Sequence, residues 1–200
     1  MNICGLMKTT LLDFPGQVAC TVFTGGCNFR CPFCHNSDLL EFGLPSDYSE
    51  EDIFSFLKKR LHTLDGVAIT GGEPTLQPDL PQFIEKIREL GLKVKLDTNG
   101  INPKMVKSLV SEGLLDYVAM DIKAGPENYA RVCGFDLQGC ADETVWPHIF
   151  EKLTETAHIT RKVKSTHINT VIYLPSVPLI SFFDSSSFKT FTCFSISSSV

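Results

Sequence analysis

Short apolar runs rich in β-branched residues alternate along this chain with longer stretches whose apolar positions recur every three or four residues. Val18 to Phe23 (VACTVF) reads as a strand running into Gly25-Gly26. Ser49 then offers a helix-capping oxygen, Glu50, Glu51 and Asp52 suit the positive end of a helix, and Ile53, Phe56, Leu57, Leu61 and Leu64 keep helical spacing. Val67 to Thr70 (VAIT) predicts a second strand, which enters Gly71-Gly72-Glu73-Pro74. Leu80, Phe83, Ile84, Ile87 and Leu90 follow as a helical stripe stopped by Gly91. The unit repeats with a strand from Leu92 to Leu96, the turn Asp97-Thr98-Asn99-Gly100, and a helix capped by Asn102, opened by Pro103 and closed by Gly113. Tyr117 to Met120 is the next strand, and Glu143 to Thr156 is the last helix-like stretch.

Strands that begin near 67, 92 and 117 with one helix in each interval specify right-handed βαβ units, hence a parallel sheet covered by helices. Periodicity does not say whether that sheet closes. Barrels and doubly wound sheets both carry their chemistry on the loops that follow the strands, and the glycine-rich and polar clusters of this chain fall there.

From Ile168 onward the pattern changes. Asp184 and Lys189 are the only charges in the last 33 residues, Phe182, Phe183, Phe188, Phe191 and Phe194 crowd the segment, and eight serines lie between Ser181 and Ser199. The expectation is one α/β domain over residues 1–167, with 168–200 an atypical Ser/Phe-rich end, truncated or frameshifted, that does not complete the sheet. A membrane helix needs ~20 unbroken apolar residues, whereas Ile168 to Phe183 is interrupted by Pro175 and Pro178, so no membrane partner is expected.

The chain has 200 residues, one domain's worth, and a net charge of −5, which provides no basic field for nucleic acid. Its first residues, MNICGLMKTTLLDFPG, lack the layout of a secretion signal, so the cytoplasm is the expected compartment. In such a reducing compartment clustered thiols more often hold metal than form disulfides. Three of the eight cysteines cluster as Cys27-Asn-Phe-Arg-Cys31-Pro-Phe-Cys34, and Cys20, Cys133 and Cys140 read as small buried hydrophobes. A closed zinc site takes four ligands, which here requires borrowing Cys4 or Cys20. A Cys31/Cys34 dithiol leaves the third cysteine unexplained. An iron–sulfur cube held by three cysteines keeps one iron open for a small molecule. His35, His62, His148, His158 and His167 show no ligand spacing.

The stretch TGGCNFRCPFCHN, with GGEP at 71–74, LDTNG at 96–100 and MDIK at 120–123, resembles the radical S-adenosylmethionine superfamily. The opening residues and DYVAMDIKAGPENYARVCG are most similar to the activating proteins of anaerobic ribonucleotide reductase, relatives of the pyruvate formate-lyase activating enzyme. That resemblance implies a partial (β/α) barrel of parallel strands with outer helices. It also implies a [4Fe–4S] cluster on Cys27, Cys31 and Cys34, chelating S-adenosylmethionine through its open iron. The activity implied is reductive cleavage to a 5′-deoxyadenosyl radical that takes hydrogen from a glycine of the reductase. A flavodoxin-like or other low-potential donor is the implied electron source, and no catalytic side chain is assigned beyond the cluster-bound cofactor.

The same resemblance makes Phe33 a neighbour of the adenine, or simple loop packing. Gly71 and Gly72 are implied to let the backbone approach the cofactor and Glu73 to accept from its amino group, against the alternative of a plain strand-to-helix turn. Asp97, Thr98 and Asn99 are implied ribose and carboxylate contacts, with an Asx-type turn as the alternative for the latter two. Asp121 and Lys123 close the set. Asp97 and Asp121 are candidates for a monovalent cation, and Asp121 with Lys123 could equally form an ion pair. Two other functions remain open at this stage: a small-molecule enzyme of the deazapurine synthase type and a non-catalytic zinc-binding interaction module.

Overall fold

The computed structural model describes residues 1–125, 128–134, 145–163, 165–174, 177–184 and 191–193. Their strands form a single sheet in sequential order: β1 (Ile3–Thr10), β2 (Ala19–Thr24), β3 (Gly66–Gly71), β4 (Lys93–Thr98), β5 (Tyr117–Ile122), β6 (Ser165–Leu174), β7 (Val177–Asp184) and β8 (Phe191–Cys193). The run from β2 to β6 is parallel, while β1, β7 and β8 pair antiparallel with their neighbours. Among the described residues no pairing joins β8 back to β1, so the sheet is an open partial barrel of the expected class.

The helices are α1 (Glu50–Arg60), α2 (Leu80–Glu89), α3 (Pro103–Ser111), the single turn α4 (Tyr129–Val132) and α5 (Val145–Thr160). On α2, Leu80, Phe83, Ile84 and Ile87 are all fully buried, which is the apolar stripe that the sequence spacing predicts. They pack with Ile53 and Leu57 of α1, Leu109 of α3, and Val22, Val67, Ile69, Val94, Leu96 and Val118 of the sheet. Odd and even strand positions point to opposite faces. The opposite face therefore carries Thr21, Ala68, Thr70, Lys95, Asp97, Tyr117, Ala119 and Asp121, a more polar set than the helix-covered one. Phe14, Ala19 and Tyr117 form a small separate cluster there.

Two strands depart from the expectation. β1 is not foreseen, because its ICGLMKTT sequence has a central glycine and few β-branched residues. Pairing with β2, and the bridge from Ile3 to Tyr48, hold it instead. β6 runs across the change of composition at residue 168 and pairs in parallel with β5 from Tyr117↔Ser165 to Ile122↔Thr170, and β7 continues the sheet from it. The strand pairing thus extends through 165–174 and 177–184, where the sequence reading has the sheet left uncompleted. Glu143, Cys140, Pro175, Phe188 and Phe194 lie outside the described residues.

Candidate active site

The cysteine loop begins where β2 ends. Gly26 N–H donates to the Leu39 carbonyl at 2.8 Å and Cys27 N–H to the Leu40 carbonyl at 3.0 Å, so the loop is tied at its start to the 3-10 turn at Ser37–Leu39 and the residue after it. Arg30 folds back and donates through Nη1 to the Cys27 and Phe29 carbonyls at 2.5 and 3.0 Å. Cys27 and Cys31 are buried and Cys34 is half-buried. The Cys27 sulfur accepts from the backbone N–H of Phe29 at 3.3 Å and from Asn99 Nδ2 at 3.9 Å. Burial pushes the Cys27 thiol up to about 11.

The loop's other wall comes from the segment after β5. Arg30 N–H donates to the Cys133 carbonyl at 2.8 Å. Tyr129, fully buried, meets Phe29 edge to face at 6.2 Å. Gly134, at φ +75°, lies so close to the Arg30 carbonyl that any Cβ would overlap it. Cys133, read from sequence as a plain buried thiol, hydrogen-bonds Cys31. That bond is the chief cause holding Cys31 below the ordinary thiol value, while burial pushes Cys133 up. Its position some hundred residues along the chain gives no spacing signal, so only the tertiary fold shows it as part of the site.

The GGE loop packs directly on the start of the cysteine loop. Gly72 N–H donates to Thr24 O and Glu73 N–H to Gly26 O, both at 2.8 Å. A Cβ on Gly71 would overlap the Thr24 backbone, and one on Gly72 the Gly26 carbonyl. The close approach that these glycines permit is therefore between two loops of the protein itself. Glu73 is buried, and its oxygens accept from Thr75 N–H (3.1 Å), Thr75 Oγ1 (2.5 Å), Thr98 Oγ1 (2.8 Å) and Asn99 N–H (2.7 Å). Burial raises its pKa against those bonds. Thr98 and Asn99, both buried, are thus fastened to the GGE loop. Thr98 Oγ1 also accepts from Gly100 N–H at 3.1 Å, an ST-type turn of the sort that the sequence allows.

Asp97 and Asp121 sit at the ends of neighbouring strands, and each faces a lysine two positions away in its own chain. Lys95 reaches Asp97 at 2.5 Å and Lys123 reaches Asp121 at 2.9 Å. Burial raises the Asp97 pKa, with Lys95 opposing it. Burial works against the charge of Lys123, yet its pKa is raised overall by Asp121 and by the nearby Cys31 and Cys133 sulfurs. Phe33 packs half-buried beside Cys27, Phe29 and Cys31, whereas His35 is exposed. A cavity of about 220 Å³ between Ile122 and α5 includes none of the expected site residues.

All the expected residues thus lie at the last positions of the parallel strands or on the loops that follow them. Three thiols from one short loop, with two N–H donors already aimed at one sulfur, suit a polynuclear iron–sulfur centre in which each thiolate takes a different iron. Among the described residues no three His, Cys, Asp or Glu side chains are grouped as ligands of a single metal ion. No helix among them is long and apolar enough to cross a membrane.

Comparison with known proteins gives these loops a family context. A protein of Methanocaldococcus jannaschii assigned as a glycyl-radical enzyme activating enzyme is 35% identical over 130 residues, 64% of this chain and 52% of its own. The pyruvate formate-lyase-activating enzyme of Listeria monocytogenes is 32% identical over 133 residues, covering 60% and 53%. The 7-carboxy-7-deazaguanine synthase of Neisseria meningitidis is 36% identical over 109 residues, covering 54% and 45%. The chain therefore spans about half the length of the curated relatives it matches. The solved structure of TYW1 with a lysine-pyruvate adduct bound shares the fold, with a TM-score of 0.53 at 16% identity over 78% of this chain and 65% of that one. Residues 21–175 match the Radical SAM family from the second strand through the sixth, taking in every loop described above, and the chain accordingly belongs to the radical SAM superfamily.

Proposed function

We propose that this chain is an activase of a glycyl-radical enzyme, working in the cytoplasm with anaerobic ribonucleotide reductase as its protein substrate and a flavodoxin-like or other low-potential electron donor. The observation that carries the reading is the Cys27, Cys31 and Cys34 loop, walled in by the three following strand-end loops, in a chain 35% identical to an assigned glycyl-radical activase. The choice of the reductase rests on the opening residues and the 116–134 stretch. On this reading residues 1–167 carry the chemistry and 168–200 form an atypical end.

Cys27, Cys31 and Cys34 would hold a [4Fe–4S] cluster, which when bound with S-adenosylmethionine supplies the electron for its reductive cleavage and so the radical that takes a glycine hydrogen. The chain's own residues prepare that site. Arg30 closes the loop on its own carbonyls, Phe29 and Tyr129 exclude water from its base, and Lys123 places a positive charge near Cys31. Any monovalent cation at Asp97 and Asp121 would compete with Lys95 and Lys123 for the same oxygens.

The test begins with anaerobic reconstitution. The expected product is a brown protein with equal iron and sulfide that, on reduction, forms 5′-deoxyadenosine. Cys31→Ala should lose the iron, because three thiolates leave no spare ligand, and iron retention equal to the parent protein would overturn the assignment. Incubation with the reductase should then give a glycyl doublet in electron paramagnetic resonance. A doublet on formate lyase alone would move the chain to that sister group. Turnover of a pterin-like small molecule instead would favour the deazaguanine synthase reading, for which the 36% identity to that enzyme speaks.

A further inference from the structure

We propose that Asn99 tunes the iron–sulfur centre, acting as a positioning residue that presents one amide proton to the Cys27 sulfur. The inference rests on the three-cysteine cluster reading and adds a residue to it.

The backbone N–H of Asn99 and both ends of its side-chain amide are committed inside the protein. Its backbone N–H goes to Glu73 Oε2 at 2.7 Å, and its Oδ1 accepts from Ile101 N–H at 3.1 Å. Its Nδ2 has two protons and two acceptors, Asn28 Oδ1 at 2.9 Å and Cys27 Sγ at 3.9 Å. The orientation of the amide follows from these partners, since Ile101 N–H can only donate and so requires the oxygen on its side. The residue is 7% exposed, so water does not substitute for any of these bonds. Asn28 lies inside the cysteine loop itself and holds the amide over the neighbouring Cys27, while Glu73, locked by Thr75 and Thr98, fixes the backbone from the other side.

An N–H donor on a ligating sulfur draws electron density from the thiolate and so stabilises the reduced, more negative centre. Phe29 N–H gives Cys27 one such bond from the backbone, which no side-chain change other than to proline removes. Asn99 gives it the second, from a side chain, and is thereby the adjustable one. The DTN turn then acts on the centre's potential through Cys27.

The experiment is a redox titration of the anaerobically reconstituted protein, followed by electron paramagnetic resonance without substrate, so that activity is not the readout. Asn99→Ala should shift the one-electron equilibrium about tenfold toward the oxidised form, ~59 mV more negative. Asn99→Asp keeps the acceptor for Ile101 and the backbone bond to Glu73 but loses both donors, and should shift in the same direction. It also serves as the measurement if Asn99→Ala fails to fold. Deuterium exchange should show one exchangeable proton fewer coupled to the reduced centre in Asn99→Asp than in the parent protein, the Phe29 N–H remaining in both. Equal midpoints in the parent and Asn99→Asp proteins, at equal iron and sulfide content, would overturn the proposal. Absence of any [4Fe–4S] signal from the parent protein would instead overturn the cluster reading beneath it.

Discussion

Glu73 shows what one residue can and cannot disclose in a sequence. Its place after two glycines at a strand end marks it as part of a site, and its charge suggests a ligand's ammonium group as its partner. The structure gives its oxygens to Thr75, Thr98 and Asn99, because the loops after β3 and β4 abut, and no local pattern records that contact. Its neighbour Gly72 is similar: the need for glycine is legible, but the backbone it makes room for is that of Gly26. The carboxylate has an acceptor on each oxygen, and an amide does not. Glu73→Gln can still accept from Thr75 and Thr98 through one oxygen, but its Nε2 then faces the Asn99 N–H, donor against donor. Leaving that buried N–H unsatisfied costs ~1–3 kcal/mol. The expected outcome in urea denaturation is a lower midpoint with unchanged slope, and a midpoint equal to the parent's would mean that the loop re-forms around water.

Among the elements, the start of α1 was readable to the residue because its signals are local, whereas the apolar spacing runs on to Leu64 and the helix ends at Arg60. Ser49 Oγ accepts from Asp52 N–H at 3.1 Å, and the Asp52 carboxylate accepts in return from Ser49 N–H at 2.9 Å and Ser49 Oγ at 2.6 Å. Hydrogen bonds from Ser49 hold the Asp52 carboxyl below its ordinary value of 3.8. A carboxylate with a lowered pKa contributes stability that is present above the ordinary value and is lost as the pH falls through the lowered one. Ser49→Ala should therefore lower the melting temperature at neutral pH, and thermal melts should show that loss shrinking below about pH 4 as the Asp52 carboxylate is protonated. A cost independent of pH would assign the whole effect to the serine oxygen. β1 shows the opposite case: nothing in ICGLMKTT marks a strand, and its register is set by β2 and by the bridge to Tyr48.

For the whole molecule, the parallel core from β3 to β5 was legible because each strand-loop-helix unit repeats the same signals at the same interval, β2 was legible from its own apolar run into Gly25-Gly26, and the cysteine loop was legible because its three cysteines lie within eight residues. Cys133 and the last strands were not. β6 carries β-branched residues at Thr166, Ile168, Thr170, Val171 and Ile172, a fair strand signal, but it sits where charge disappears and serine and phenylalanine take over, and that shift of composition masks it. The pairing of β6 with β5 makes a testable statement about cooperativity. Six consecutive partners, from Tyr117↔Ser165 to Ile122↔Thr170, put the backbone of β6 in the same ladder as the strand that carries Asp121 and runs into Lys123. Amides in one ladder open together, so hydrogen exchange from Thr166 to Thr170 should be as slow as that from Val118 to Ile122. Fast exchange over 166–170 beside slow exchange over 118–122 would end the sheet at β5. It would also leave a bare parallel edge next to the candidate site, an edge that invites pairing with another chain. Size-exclusion chromatography at rising concentration separates the two cases, since a covered β5 edge gives a constant elution volume and a bare one gives association that grows with concentration.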